Sequence, residues 1–211
     1  MDVSAGLAEV NERIARACDR ARRDVRRIKL VAVSKLQPVE KVRRAIDAGH
    51  GIFGENYAQE LRDKAAALPD AEWHFIGALQ TNKVKMLAGK VALIHTCDRL
   101  SLAKELSKRS GRQRVLIEVN IGREPQKAGV LPEDAPALLE EIGALVRVDG
   151  LMCIPPAEGD PRPHFRALRE LAEKLGLEEL SMGMSADYEI AIEEGATIVR
   201  VGTAIFGARP T

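Results

Sequence analysis

Aromatic residues are scarce in this chain: Phe, Tyr and Trp together make up 3% of its 211 residues. A core can still form, because 45% of the residues are apolar, but Leu, Val, Ile and Ala must build it. Net charge is nearly absent as well, with 32 Lys and Arg against 31 Asp and Glu leaving +1. That balance argues against nucleic-acid or anionic-membrane binding, both of which need a concentrated basic face. The one basic cluster, "RRDVRR" (22–27), reads as the solvated end of a helix. Cysteines number only three, Cys18, Cys97 and Cys153. Odd in number and far apart, they offer neither a disulfide framework nor a metal spacing, and Cys18 and Cys153 lie among apolar residues as small core side chains. No apolar run reaches membrane-spanning length, and the first 13 residues mix charges without a signal core, so a cytoplasmic protein is expected.

What the chain does have is alternation. Leu7, Val10, Ile14, Ala17 and Ala21 recur at steps of three and four, which predicts a helix over 4–24. Eight short β-branched runs follow, at 29–34, 51–55, 73–79, 91–96, 114–120, 148–154, 177–183 and 197–203. Helical stretches lie between them at 39–48, 57–67, 83–88, 99–108, 132–145, 163–175 and 186–194. Asp98 and Ser185 are expected to cap two of these at the N-terminus, Pro132 and Pro163 to sit near first turns, and Gly49, Gly89, Gly111, Gly176 and Gly195 to end helices. Strands separated by helices pair in parallel, since each crossover needs a helix. Eight units favour a closed (β/α)8 TIM-type barrel over an open doubly wound sheet, whose GxGxxG fingerprint is missing after the first strand. One domain over 1–211 is expected, with the N-terminal helix segment (1–26) packing where the sequence offers no final helix.

In barrels of this kind the chemistry gathers at the C-terminal ends of the strands. Those ends carry Lys35; Glu55 and Asn56; Gln80, Thr81 and Asn82; His95; Asn120; Pro155; Ser181 to Ser185; and Arg200 to Thr203. Taken singly, most are ordinary loop polars. Together they include a lysine, an arginine and two small-residue turns, "SMGMS" (181–185) and the Gly202–Thr203 step, whose backbone N–H groups and hydroxyls suit a phosphate. Strand one lies beside strand eight in a closed barrel, so Lys35 and those turns come together. A ligand with a phosphate at one end and an aldehyde at the other spans that gap, and pyridoxal 5′-phosphate has this shape; lysine forms Schiff bases with carbonyls when burial lowers its pKa.

Six stretches in order then carry a resemblance over nearly the whole chain: "LVAVSK" (30–35), "GENYAQE" (54–60), "WHFIGALQTNK" (73–83), "VNIGREPQKAG" (119–129), "GLMCIP" (150–155) and "LSMGMSADYEIAIEEGATIVRVGTAIFG" (180–207). The sequence resembles the pyridoxal phosphate homeostasis protein family, single-domain relatives of the alanine racemase N-terminal barrel. Ala78 departs from the family's usual "FIGPLQ", a change expected to stay local to the loop after the third strand. The resemblance implies Lys35 as the residue bound to the cofactor aldehyde. It implies Ser185, Gly202 and Thr203 at the phosphate, Arg200 facing the pyridine nitrogen, and Asn56 near the ring hydroxyl. His74 remains open between barrel-core residue and site residue, while His95 and His164 look structural or exposed.

An arginine at the pyridine nitrogen only donates and never loses its charge, so it favours a neutral ring and a weak electron sink. The resemblance therefore implies a binding protein that holds pyridoxal phosphate, buffers it or delivers it to apo-enzymes, and acts in vitamin B6 homeostasis without robust catalysis. A small racemase or lyase is the alternative, although no residue is assigned to the opposite face of a substrate; a phosphate-binding barrel without pyridoxal is a third. No long exposed apolar stripe marks a helix face, so a monomer is expected.

Overall fold

The computed structural model describes residues 2–208; Met1 and residues 209–211, which the sequence reading includes in its one domain, lie outside the described residues. The chain opens with helix α1 (Val3–Ala21), capped at its start by the Asp2 carboxylate, which accepts from the Ser4 backbone N–H. Strand β1 (Lys29–Val33), α2 (Val39–Asp47), β2 (Ile52–Glu55), α3 (Ala58–Ala67), β3 (Glu72–Phe75), α4 (Val84–Leu87) and β4 (Leu93–Cys97) follow. Next come α5 (Leu100–Ser110), β5 (Arg114–Glu118), α6 (Ala135–Ile142), β6 (Arg147–Met152) and α7 (Arg162–Leu175). Strand β7 (Glu179–Ser181), α8 (Tyr188–Glu193), β8 (Ile198–Val201) and α9 (Thr203–Phe206) complete the series. The strands pair in sequence order as a closed barrel, and β1 meets β8 in parallel with Lys29 opposite Ile198 and Ala32 opposite Val201.

Two apolar layers result. Val31, Leu93, Leu116, Met152 and Ile198 fill the barrel, and a larger shell of Leu, Val, Ile and Ala packs between strands and helices. Each fully buried Leu, Ile or Val contributes about 1.5–3 kcal/mol relative to exposure, which is how so few aromatics suffice. Cys18, Cys97 and Cys153 are all buried free thiols, and burial pushes Cys97 and Cys153 up to about 12, so they behave as core residues.

Helix α9 is a single turn, and α1 covers the flank that a full-length last helix would occupy, resting on α8 and α9. Gly6 permits this docking: a Cβ there would stand 2.7 Å from the Ala204 carbonyl oxygen. Arg23, read from sequence as solvated, instead folds back to donate to the carbonyls of Ile192 and Ala196, both at 2.7 Å, finishing the C-terminal turn of α8. Among the described residues no helix is long and apolar enough to cross a membrane.

Two predicted caps sit elsewhere. Arg99, not Asp98, is the N-cap of α5, with the Asp98 carboxylate engaged by the Arg99 guanidinium. Helix α8 begins at Tyr188 rather than Ala186, and it is Asp187 whose carboxylate accepts from the Met184 N–H at 2.6 Å. Ser185 is thereby left in the turn before the helix, turned to β8.

Candidate functional site

Buried Leu30, Val31 and Ala32 carry β1 to the barrel mouth, where Ser34 to Gln37 form a turn closed by the Gln37 N–H donating to the Ser34 carbonyl at 3.0 Å. Lys35 sits at its first corner, half-buried. Leu36 takes the second corner with φ 61°, a left-handed conformation that costs a leucine roughly 1–2 kcal/mol. A charged cluster beneath offsets that strain. The Leu36 N–H donates to Glu60 Oε1 at 2.7 Å. Lys64, 4% exposed on the inner face of α3, donates to the Ser34 carbonyl at 2.7 Å, to Glu55 Oε1 at 2.8 Å and to Glu60 Oε1 at 2.7 Å. The Ser34 hydroxyl donates to the same Glu55 oxygen at 2.6 Å. Burial raises the Glu55 carboxyl, and the Lys64 ammonium pulls against it. The cluster fixes where Lys35 starts.

Across the mouth, Arg200 leaves β8 almost wholly buried, donating to Ser181 Oγ at 2.5 Å and to the Cys153 carbonyl at 2.9 Å. Neither partner is a carboxylate, so the guanidinium keeps its full positive character, although burial lowers its pKa. The Gly202 N–H donates to Ser185 Oγ at 3.4 Å, tying the turn before α8 to the turn before α9. Thr203 opens α9, where the Ile205 and Phe206 N–H groups both donate to the Gly202 carbonyl at 2.9 Å, and the N–H groups of Thr203 and Ala204 come before these first internal bonds. Asn56 follows β2 directly, seated by Gly77, where a Cβ would come within 2.2 Å of the Asn56 carbonyl oxygen. The Asn56 Oδ1 atom is buried and has no hydrogen-bond partner among the described residues.

These six residues, Lys35, Asn56, Ser185, Arg200, Gly202 and Thr203, line one cavity of about 310 Å³. Met184, from the 181–185 turn, also lines it, and Val33, Gln37, Ile76 and Ile154 complete much of its wall; these four were not singled out from sequence, since apolar side chains at strand ends look like core and Gln37 like an ordinary turn polar. Of the remaining strand-end polars, Gln80 lines a neighbouring cavity of about 390 Å³ with Tyr57, Ala78 and Lys83, sharing Asn56 with the first. Glu55 turns outward to Lys64 instead of into the mouth. His74 and His95 are buried within the barrel, where Nδ1 of the first and Nε2 of the second lie 2.9 Å apart.

Glu118, at the end of β5, is the second buried carboxyl of note. It is 8% exposed, its Oε2 has no partner among the described residues, and burial, reinforced by Asp98 and opposed by Arg200, pushes it up to about 7. In the unfolded chain it ionises near 4.5, so between that value and 7 the unfolded state has released a proton that the folded state keeps. Stability therefore falls as pH rises through this window and is level above it, with a total cost of about 3 kcal/mol. Urea denaturation of Glu118→Gln and wild type at pH 4 and pH 8 tests this: the variant's relative advantage is expected to grow by that order, and an equal difference at both pH values would overturn it.

Lysine, arginine and two hydroxyl-bearing turns around a single barrel mouth define a class, and the family model for the alanine racemase N-terminal domain matches residues 8–210. A pyridoxal phosphate homeostasis protein of Aquifex aeolicus is 50% identical over 226 residues, covering 99% of each chain. The structure of PipY from Synechococcus elongatus with PLP bound is 34% identical, covers 97% of this chain and 100% of that one, and has a TM-score of 0.83. Alanine racemase from Corynebacterium glutamicum shares the fold alone, at 16% identity and a TM-score of 0.72, covering 98% of this chain and 62% of that one. The chain belongs to the pyridoxal phosphate homeostasis protein family.

Proposed function

We propose that this chain, as one barrel unit and a monomer, binds pyridoxal 5′-phosphate reversibly through Lys35 and serves intracellular vitamin B6 homeostasis, buffering the cofactor or supplying it to apo-enzymes. The observation that carries this reading is the convergence of Lys35, from the first strand, with Arg200, Gly202 and Thr203, from the last, on one cavity. The residues present fit the group. The buried, unpartnered Asn56 oxygen suits the ring hydroxyl, and the Ser185 and Thr203 hydroxyls with the N–H groups around Gly202 suit a phosphate. Bound pyridoxal phosphate supplies an aldehyde that an amine can capture with loss of water, and a ring that can draw electrons. Lys35 Nζ is the capturing amine. Arg200 donates to the ring nitrogen and, as a permanent cation, opposes its protonation, which blunts the electron sink.

The residues available for acid–base work on an amino acid also argue for holding over turnover. Tyr188 is buried on the outer wall with Arg13 stacked 5.3 Å from its ring. Tyr57 faces the neighbouring cavity. Titrating the protein with pyridoxal and with its phosphate ester tests the cradle: the ester is expected to bind at least roughly tenfold tighter, and Ser185→Ala/Thr203→Val to erase most of that preference. Equal affinities in the wild type would show the cradle misassigned. The loaded protein incubated with L-alanine and other L-amino acids is expected to yield no D-isomer or keto acid; either product at a catalytic rate would favour the racemase or lyase reading.

A further inference from the structure

Beneath the cavity runs a continuous hydrogen-bonded chain through the barrel. Arg200 donates to Ser181 Oγ at 2.5 Å, and Ser181 Oγ lies 2.8 Å from His95 Nδ1. His95 Nε2 lies 2.9 Å from His74 Nδ1, and His74 Nε2 lies 2.9 Å from Glu72 Oε1. Ser181 and His95 are fully buried and His74 is nearly so, whereas the Glu72 side chain is 47% exposed where β3 begins, at the opposite end of the barrel from the cavity. With both imidazoles neutral, one assignment of protons satisfies every step. The hydrogen bond from His74 holds the Glu72 carboxyl below the usual carboxylate range, so Glu72 is an acceptor and His74 carries its proton on Nε2. His74 Nδ1 must then accept, which puts the His95 proton on Nε2 and makes His95 Nδ1 an acceptor. Burial keeps the His95 imidazole neutral. The Ser181 hydroxyl must therefore spend its hydrogen on His95, leaving its lone pairs to Arg200.

We propose that Ser181 and His95 are positioning residues for Arg200, fixing its guanidinium against the ring-nitrogen end of the cavity through a one-directional chain anchored on Glu72. The proposal rests on the cofactor reading above. With His95 absent, the serine hydroxyl can rotate its hydrogen toward Arg200, turning an acceptor into a rival donor. With Ser181 absent, one guanidinium N–H is left buried and unmet, and the fork can tilt about its remaining bond to Cys153. The chain does more than fill the barrel: it decides which N–H groups of Arg200 are free to meet a ligand.

The test uses pyridoxal phosphate labelled with 15N in the ring, bound to the full chain. Ser181→Ala and His95→Phe are each expected to weaken binding roughly tenfold and to move the ring-nitrogen resonance in the direction that Arg200→Ala moves it, while Ser181→Thr, which keeps the hydroxyl, restores the wild-type values. Should either buried variant fail to fold, Glu72→Ala at the exposed rim supplies the readout, with a smaller displacement of the resonance in the same direction. Borohydride trapping on Lys35 runs alongside. Trapped variants with wild-type affinity and resonance would leave the cofactor reading intact and reduce the chain to packing. A wild-type protein that traps nothing on Lys35 would overturn the cofactor reading and this proposal with it.

Discussion

Lys35→Ala, mixed with pyridoxal phosphate, is expected to show neither the absorbance band near the visible edge nor the mass increment on borohydride reduction that the unaltered chain gives. The turn geometry makes this a sharp expectation. Lys35 occupies one corner of a tight turn whose neighbours are held by Lys64 and Glu60, and it lines the same cavity as Arg200 and Thr203. Alanine keeps that backbone and removes only the amine, so the phosphate contacts persist and affinity falls on the order of a hundredfold, not to zero. Peptide mapping of the reduced protein places the result: a mass increment on any lysine other than Lys35, or an unchanged band in the variant, sinks the assignment.

The second large effect is expected away from the cavity. Lys64→Met removes one cation that meets two carboxylates and a carbonyl in a buried place, at 2.7–2.8 Å each. Glu55, fully buried, is then left with the Ser34 hydroxyl alone. Breaking a buried pair from one side typically costs about 3–5 kcal/mol, and urea denaturation at pH 8 is expected to show a loss of that size. The loss should shrink in acid, where the stranded carboxyls take up protons. Glu55→Gln added to Lys64→Met is expected to recover part of it, because the uncompensated charge goes. Slower borohydride trapping at Lys35 should accompany the single change, since the Ser34 carbonyl and, through Glu60, the Leu36 N–H lose their anchor. A Lys64→Met protein within about 1 kcal/mol of wild type would mean the cluster does not hold the turn.

The barrel was legible because its signal is periodic and repeated. All eight strands fall within the apolar runs read from sequence or overlap them, and the parallel order follows from the helices between. The six named residues reach one cavity because closure alone brings β1 beside β8. What stayed hidden depends on side-chain direction. Lys64 looks like any surface lysine until its spacing from Ala58 and Leu61, six and three residues back on the buried face of α3, is taken seriously. Ser185 is a good cap in sequence, yet α8 starts later, with Asp187 at its N-cap position and the Asp187 carboxylate bonded back to the Met184 N–H in the preceding turn. His74 and His95 could be weighed only as isolated histidines, since the hydrogen bond joining them crosses between strands and leaves no mark on local spacing.

Helix α1 rests on α8 and α9, and Gly6 meets the backbone of Ala204 and Ile205. Because α1 precedes β1 while α8 and α9 flank β8, this contact straddles the β1–β8 seam and clamps the closure of the barrel from outside. Val3, Leu7, Val10 and Ile14 are the buried face through which α1 does so, so a polar residue at any of them would loosen the seam as well as the helix.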